Sequence, residues 1–155
     1  MNCQILGNES QKEITELFTS VFTSSKGEKE GKLIGKLSSA LASNIDNEEI
    51  ICFGVYENES LISSVFFTRL KFNDPIKVYM LAPVAVSTEH QRKGIGQALI
   101  NYGLDELKKR SVRIVVTYGD PSFYSADFVK IGAGFRQSNF NRDPNVKRNG
   151  SMLSL

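Results

Sequence analysis

The sequence predicts a mixed α/β (α+β) fold, one sheet covered by helices. Three observations carry that expectation. The middle of the chain alternates apolar runs with turn residues, as antiparallel hairpins do. Apolar residues recur at helical spacing on either side of it. An apolar strand run then gives way, through Gly94 and Gly96, to the best helical pattern in the chain.

Taken in order, residues 2–6 read as a short strand ending at Gly7. Ser10 suits a helix cap, and Ile14, Leu17, Phe18, Val21 and Phe22 follow at helical spacing. The polar stretch 23–29 reads as a loop. A second helix is expected over 30–42, with Leu33, Ile34, Leu37 and Leu41 on its apolar side. Residues 50–56 and 61–70 are strands flanking Glu57-Asn58-Glu59-Ser60, a hairpin turn. Residues 77–87 form a long apolar strand interrupted by Pro83, which has no N–H for the ladder and marks a break, bulge or edge. The helix over 96–110 offers Ala98, Leu99, Tyr102, Leu104 and Leu107 for burial. A β-branched strand is expected over 112–118. Pro121 suits the first turn of another helix, over 122–131. Residues 135–140 and 151–155 are tail strands, the last able to pair at a dimer edge.

Composition narrows the function. At 155 residues the chain is expected to be one domain, 1–155, burying about 68–70% of its unfolded surface. With 41% hydrophobic and 23% charged residues it has ordinary globular composition. The net charge of +2 is small and the basic residues are scattered, which argues against nucleic acid as a partner. No apolar run approaches a membrane span, and no signal peptide is evident, so a cytoplasmic protein is expected. One histidine and two distant cysteines, Cys3 and Cys52, are too few for a zinc site, so no metal is expected.

The chemistry concentrates in Gln91-Arg92-Lys93-Gly94-Ile95-Gly96-Gln97. Two glycines and two cations where a helix begins are the parts of a phosphate cradle. The first-turn amides lack partners within the helix, and the aligned peptide dipoles place positive charge there. A pyrophosphate suits that space. Leu99 stands where a dinucleotide fingerprint needs its third glycine, and no Gly-Lys-Ser/Thr ending follows, so neither nucleotide motif applies. Arg92 and Lys93 admit two readings equally, phosphate contacts or solvated loop charges. His90 reads as an exposed loop residue and Cys52 as packing.

The strand Leu81-Ala82-Pro83-Val84-Ala85-Val86 leading into Gln91-Arg92-Lys93-Gly94-Ile95-Gly96 resembles the GNAT superfamily of acyl-CoA-dependent N-acyltransferases, through its Gln/Arg-x-x-Gly-x-Gly/Ala loop. The resemblance implies a central, mostly antiparallel mixed sheet with a splayed pair of central strands. It implies acetyl-CoA as cosubstrate, its pyrophosphate on Gln91, Arg92, Lys93, Gly94, Ile95, Gly96 and Gln97. The pantetheine arm then lies on Val84, Ala85 and Val86, with the Val84 amide polarising the thioester carbonyl. The family's acid tyrosine maps to Tyr124, in Asp120-Pro121-Ser122-Phe123-Tyr124-Ser125. A second register, ending at Gly132, places Phe128 there instead. Glu28, Glu30 and Asp120 fall near the family's acceptor region but read first as solvated carboxylates.

The implied reaction is acetyl transfer to a primary amine, on a small molecule or a peptide, by direct attack in a ternary complex. A lysine-like amine, with a pKa of about 10.4, must first lose a proton, whereas a thiol of pKa about 8.5 leaves readily. Positioning therefore matters more than an acid. The alternative is an acyl-CoA-binding regulatory or interaction domain without catalysis. A third reading is transfer of a longer acyl chain. The implied assembly is a monomer or homodimer.

Overall fold

Alternation within the strands decides which face each residue serves. The computed structural model describes residues 1–73, 75–118, 136–139 and 150–154. The chain begins with β1 (Asn2–Leu6), then the helices α1 (Gln11–Lys26) and α2 (Glu28–Ser43). The hairpin β2 (Ile50–Glu57) and β3 (Ser60–Leu70) leads to β4 (Val78–Val86), α3 (Ile95–Lys109) and β5 (Ile114–Tyr118). The last strands are β6 (Arg136–Asn139) and β7 (Gly150–Ser154). They form a seven-stranded sheet in the order β1-β2-β3-β4-β5-β7-β6. Among the described residues only the β4–β5 pair is parallel, and α3 is its crossover. The expected mixed, mostly antiparallel sheet is present.

Successive side chains on a strand point to opposite faces. Ile51, Phe53 and Val55 of β2 join Val65 and Phe67 of β3 under Leu99, Leu104 and Leu107 of α3. Cys52 and Phe66 point the other way and pack with Ile14, Leu17, Phe18 and Val21 of α1. Burial on both faces explains why the run from 50 reads as continuously apolar. On α3 the buried set is Leu99, Ile100, Gly103, Leu104 and Leu107, while Ala98 and Tyr102 are half-buried. Gly103 was not among the expected contacts. Its missing side chain admits Phe67, since a Cβ there would lie 2.6 Å from a ring carbon.

Four expectations need correction. Residues 23–29 are helical rather than a loop, apart from Gly27, whose φ of 95° reverses the chain alone. The polar residues of that stretch are simply the exposed end of α1. Ser10 precedes α1 but makes no side-chain cap bond; its N–H donates to the Gly7 carbonyl. The tail strand β7 is no edge, because it pairs with β5 on one side and β6 on the other. The fourth concerns α2, where Leu33 and Leu37 are 61% and 47% exposed, while Ile34 and Leu41 are half-buried and pack against the α1 core as expected.

The buried face of α2 is Gly31, Gly35, Ser38 and Ala42. A Cβ at Gly31 would lie 1.9 Å from Thr23 Oγ1 and 2.8 Å from the Thr23 backbone nitrogen; one at Gly35 would lie 2.2 Å from Thr19 Oγ1. Small residues thus let the two backbones approach, and close packing outweighs leucine burial.

Overpacking costs about 1–3 kcal/mol, and alanine's better helix propensity offsets about 1 kcal/mol of that. Gly31→Ala is therefore expected to lower Tm by roughly 2–4 °C for each net kcal/mol lost. Thermal melting followed by circular dichroism checks this, and a rise in Tm would contradict the packing account.

Candidate active site

β4 carries the feature from which the site is built. Its register with β3 runs Ser63↔Val86, Ser64↔Ala85 and Val65↔Val84, then shifts to Phe67↔Leu81. Ala82 and Pro83 therefore both face Phe66 in a β-bulge, with a cis bond between them. This is the interruption expected at Pro83. Pairing with β5 covers Val78 to Leu81 and ends at Leu81↔Thr117, where Thr117 Oγ1 donates to the Leu81 carbonyl at 3.1 Å. Among the described residues, β4 beyond Leu81 has no partner on the β5 side.

The direction of the free groups follows from alternation. The Ser87 N–H donates to the Ile62 carbonyl at 2.8 Å, and the Ala85 carbonyl accepts from Ser63 Oγ at 2.9 Å. Both point towards β3. Val84 and Val86 must then aim their N–H and C=O groups the opposite way, towards the β5 side. Gln91 Nε2 donates to the Val86 carbonyl at 3.0 Å, which folds the following loop back over the strand end.

That loop reaches α3 through Arg92 and Gly94, with φ of 63° and 77°. Gly94 is the N-cap, and no side chain caps the helix. The Ala98 N–H donates to the Gly94 carbonyl at 3.0 Å, so the amides of Ile95, Gly96 and Gln97 precede the first helical bond. No acidic residue lies in the first turn of α3, while Lys108 and Lys109 complement its other end. A Cβ on Gly96 would lie 2.9 Å from Val86 Cγ2. Glycine thus brings the uncapped helix start against the free end of β4. Gln91, Arg92, Lys93 and Gly94 are exposed, and Ile95, Gly96 and Gln97 half-buried.

A parallel pair whose described pairing stops at Leu81, beside an uncapped, glycine-lined helix start, is an arrangement suited to an extended ligand with a phosphate end. The family model of the acetyltransferase (GNAT) domain matches residues 5–127. The chain belongs to the GNAT family. The curated Uncharacterized N-acetyltransferase YjhQ of Escherichia coli is 32% identical over 72 residues, 44% of this chain and 39% of that protein. The match thus spans well under half the length of that relative. A GNAT acetyltransferase from Brucella melitensis, solved with acetyl-CoA, superposes with a TM-score of 0.70 at 22% identity, over 99% of this chain and 87% of that one. The PaiA N-acetyltransferase of Thermoplasma acidophilum, solved with coenzyme A, gives 0.71 at 15% identity over 100% of both chains. At these identities the likeness shows the GNAT fold.

The remaining candidates fall into place around that frame. Tyr124, Phe128 and Asp120 lie outside the described residues. Glu28 and Glu30 are exposed on the first turn of α2, and Glu28 pairs with Lys32 at 3.1 Å. Arg92 and Lys93 form no ion pair among the described residues. Tyr102 packs edge-on to Phe53, ring centroids 5.5 Å apart.

His90 is not an exposed loop residue. Its side chain is 17% exposed, with Nδ1 2.6 Å from Ser87 Oγ and Nε2 2.5 Å from Glu57 Oε2. The three residues border a cavity of about 470 Å³ between α1, the β2–β3 turn and the start of the loop. The i, i+3 spacing of Ser87 and His90 is visible in sequence; Glu57 arrives from a separate turn and carries no local signal.

Cys52 is fully buried, its Sγ 3.2 Å from Ser64 Oγ, and burial pushes its thiol up to about 12. At pH 8 only about one thiol in ten thousand would then be thiolate, the nucleophilic form. The Cys3 thiol is also raised by burial. Mass spectrometry after iodoacetamide at pH 8 should show Cys52 unmodified in native protein and alkylated after denaturation. Alkylation of Cys52 at native temperature would contradict this burial.

Proposed function

We propose that residues 1–155 form one cytoplasmic N-acetyltransferase domain, a monomer or homodimer, moving an acetyl group from acetyl-CoA to a primary amine on a small molecule or peptide. The observation that carries the reading is that the described β4–β5 pairing ends at Leu81, next to the uncapped start of α3. Both parts fit the ligand. The amides of Ile95, Gly96 and Gln97 hold the pyrophosphate, Gly94 leaves open space before them, and Arg92 and Lys93 add positive charge. Gln91 orders the loop through the Val86 carbonyl. Val84 and Val86 present main-chain groups to the pantetheine arm, with Ala85 spacing them.

Acetyl-CoA supplies the activated acyl carbon. The Val84 N–H is the donor set to receive the oxygen on which charge develops, at a fixed position on a strand. The attacking amine must be neutral, so turnover rises with pH as more of the amine loses its proton. Tyr124 is assigned to the departing sulfur. A phenol of pKa about 10 gives a hydrogen bond to a thiolate more readily than a whole proton.

At a hundredfold excess over Kd, ligand binding stabilises by about 2.7 kcal/mol. Saturating acetyl-CoA should therefore raise the wild-type Tm by roughly 5–10 °C, at 2–4 °C per kcal/mol. Gly94→Asp should lose that shift, because its carboxylate repels the phosphate at the helix start; its Cβ meets no atom within 4 Å, and the φ of 77° adds strain that lowers the Tm of the free protein. A folded wild type without a shift would remove the basis of the reading. Binding without release of free CoA across a panel of amines would favour the non-catalytic module.

Tyr124→Phe is expected to lower kcat by about a hundredfold, the lower end of general acid catalysis, with KM for acetyl-CoA nearly unchanged. Steady-state kinetics decides; an unaltered kcat would remove Tyr124 from the mechanism.

A further inference from the structure

We propose that Glu57, His90 and Ser87 form a brace that sets the cofactor loop in its binding geometry; this rests on the reading of that loop as the coenzyme A pyrophosphate site. A carboxylate only accepts hydrogen bonds, so the proton on this side sits on His90 Nε2 and points at Glu57. In that tautomer Nδ1 accepts, and the Ser87 hydroxyl donates to it. The order carboxylate, imidazole, hydroxyl is also that of an activated serine nucleophile. Its place argues against that role. Ser87 lies three strand positions beyond Val84, about 10 Å away at roughly 3.3 Å per residue, which is outside hydrogen-bond reach of a carbonyl held at Val84.

The chain is instead placed to hold backbone. Ser87 is fixed on its main chain as well: its N–H donates to Ile62, and its carbonyl accepts from the His90 N–H at 2.9 Å. Glu57 ends β2 at the hairpin turn, so the His90 ring joins that rigid turn to the first residues of the loop. Gln91 follows His90 directly and bonds the Val86 carbonyl. Next comes Arg92 at φ 63°, a left-handed backbone that a non-glycine residue keeps only when its surroundings hold it. Two residues later Gly94 opens α3. The aim of the Ile95, Gly96 and Gln97 amides is thus inherited from a segment pinned at 87, 90 and 91. A binding site needs such groups held within about 0.5 Å. Supporting bonds of this kind decide whether a site is present or merely loose.

The test measures coenzyme A binding by calorimetry, acetyl-CoA kinetics and Tm on wild type, Glu57→Ala, Glu57→Gln, His90→Ala, Ser87→Ala and the Glu57→Ala/His90→Ala double variant. The brace predicts a rise in Kd and in KM of about tenfold for Glu57→Ala and His90→Ala, with kcat at saturation within about twofold. Because the residues act as one unit, the double variant should also lose about tenfold, not a hundredfold. Glu57→Gln keeps a carbonyl oxygen for the Nε2 proton and should recover most of the affinity. Ser87→Ala removes one hydroxyl and should weaken binding while leaving Tm near wild type. Unchanged Kd in the single variants overturns the brace, as does a loss of kcat at constant Kd. Wild type that fails to bind coenzyme A overturns the cofactor reading itself, a result visible before any variant is made.

Discussion

The structure turns on one constraint: among the described residues, β4 pairs with β3 along most of its length but with β5 only as far as Leu81. Every backbone N–H and C=O that is buried needs a partner. Up to Leu81, β4 satisfies its groups on β3 and β5, and Thr117 closes the last step with its hydroxyl. Then Pro83 brings no N–H, and Ala82 and Pro83 bulge against Phe66. Past the bulge the strand stays registered with β3, and among the described residues its pairing with β5 has ended. Val84 and the Val86 N–H then aim away from β3 without a described partner, and the Val86 carbonyl takes Gln91. On the proposed reading this stretch is the linear surface for the ligand.

The two faces of the sheet support that stretch differently. On one side α3 follows β4 directly, so its N-terminus must fall near that end of the strand, and Gly96 lets it approach Val86. On the other side α1 and α2 pack as a tight pair through Gly31 and Gly35 before α1 buries Ile14, Leu17, Phe18 and Val21. The exposed Leu33 and Leu37 are the consequence. Layer thickness is set there by backbone contact and not by large side chains.

Much of this was legible in sequence, and what was not has physical causes. The strands at 2–6, 50–56 and 61–70, the interruption at Pro83 and the glycine-led helix all carry local signals of period, turn chemistry or missing N–H. The loop of the GNAT family is itself a local signal, since its glycines and its helix start are contiguous. On α2 the apolar pattern holds for Ile34 and Leu41 and fails for Leu33 and Leu37, because the contact face is centred on Gly31, Gly35, Ser38 and Ala42, a stripe of the same helical spacing and lower hydropathy. The polar end of α1 resembled a loop because exposure, and not breakage, explains its composition. His90 was misread for a different reason. Its partner Glu57 is 33 residues away and meets it only once three strands are in register.

The loop before α3 is also where the chain withholds stability. A side-chain cap in place of Gly94 would add only a few tenths of a kcal/mol, and Gly94 provides none. Arg92 in left-handed backbone costs on the order of 1–3 kcal/mol. Together these come to about 1–3 kcal/mol, comparable with the roughly 2.7 kcal/mol that a ligand at a hundredfold excess would return. A capped helix and a relaxed loop would make a sturdier empty protein, but the cap would occupy the amides and the relaxed backbone would turn them elsewhere. On the proposed reading, the local rules of helix design fail here because the helix start is left open for an anion.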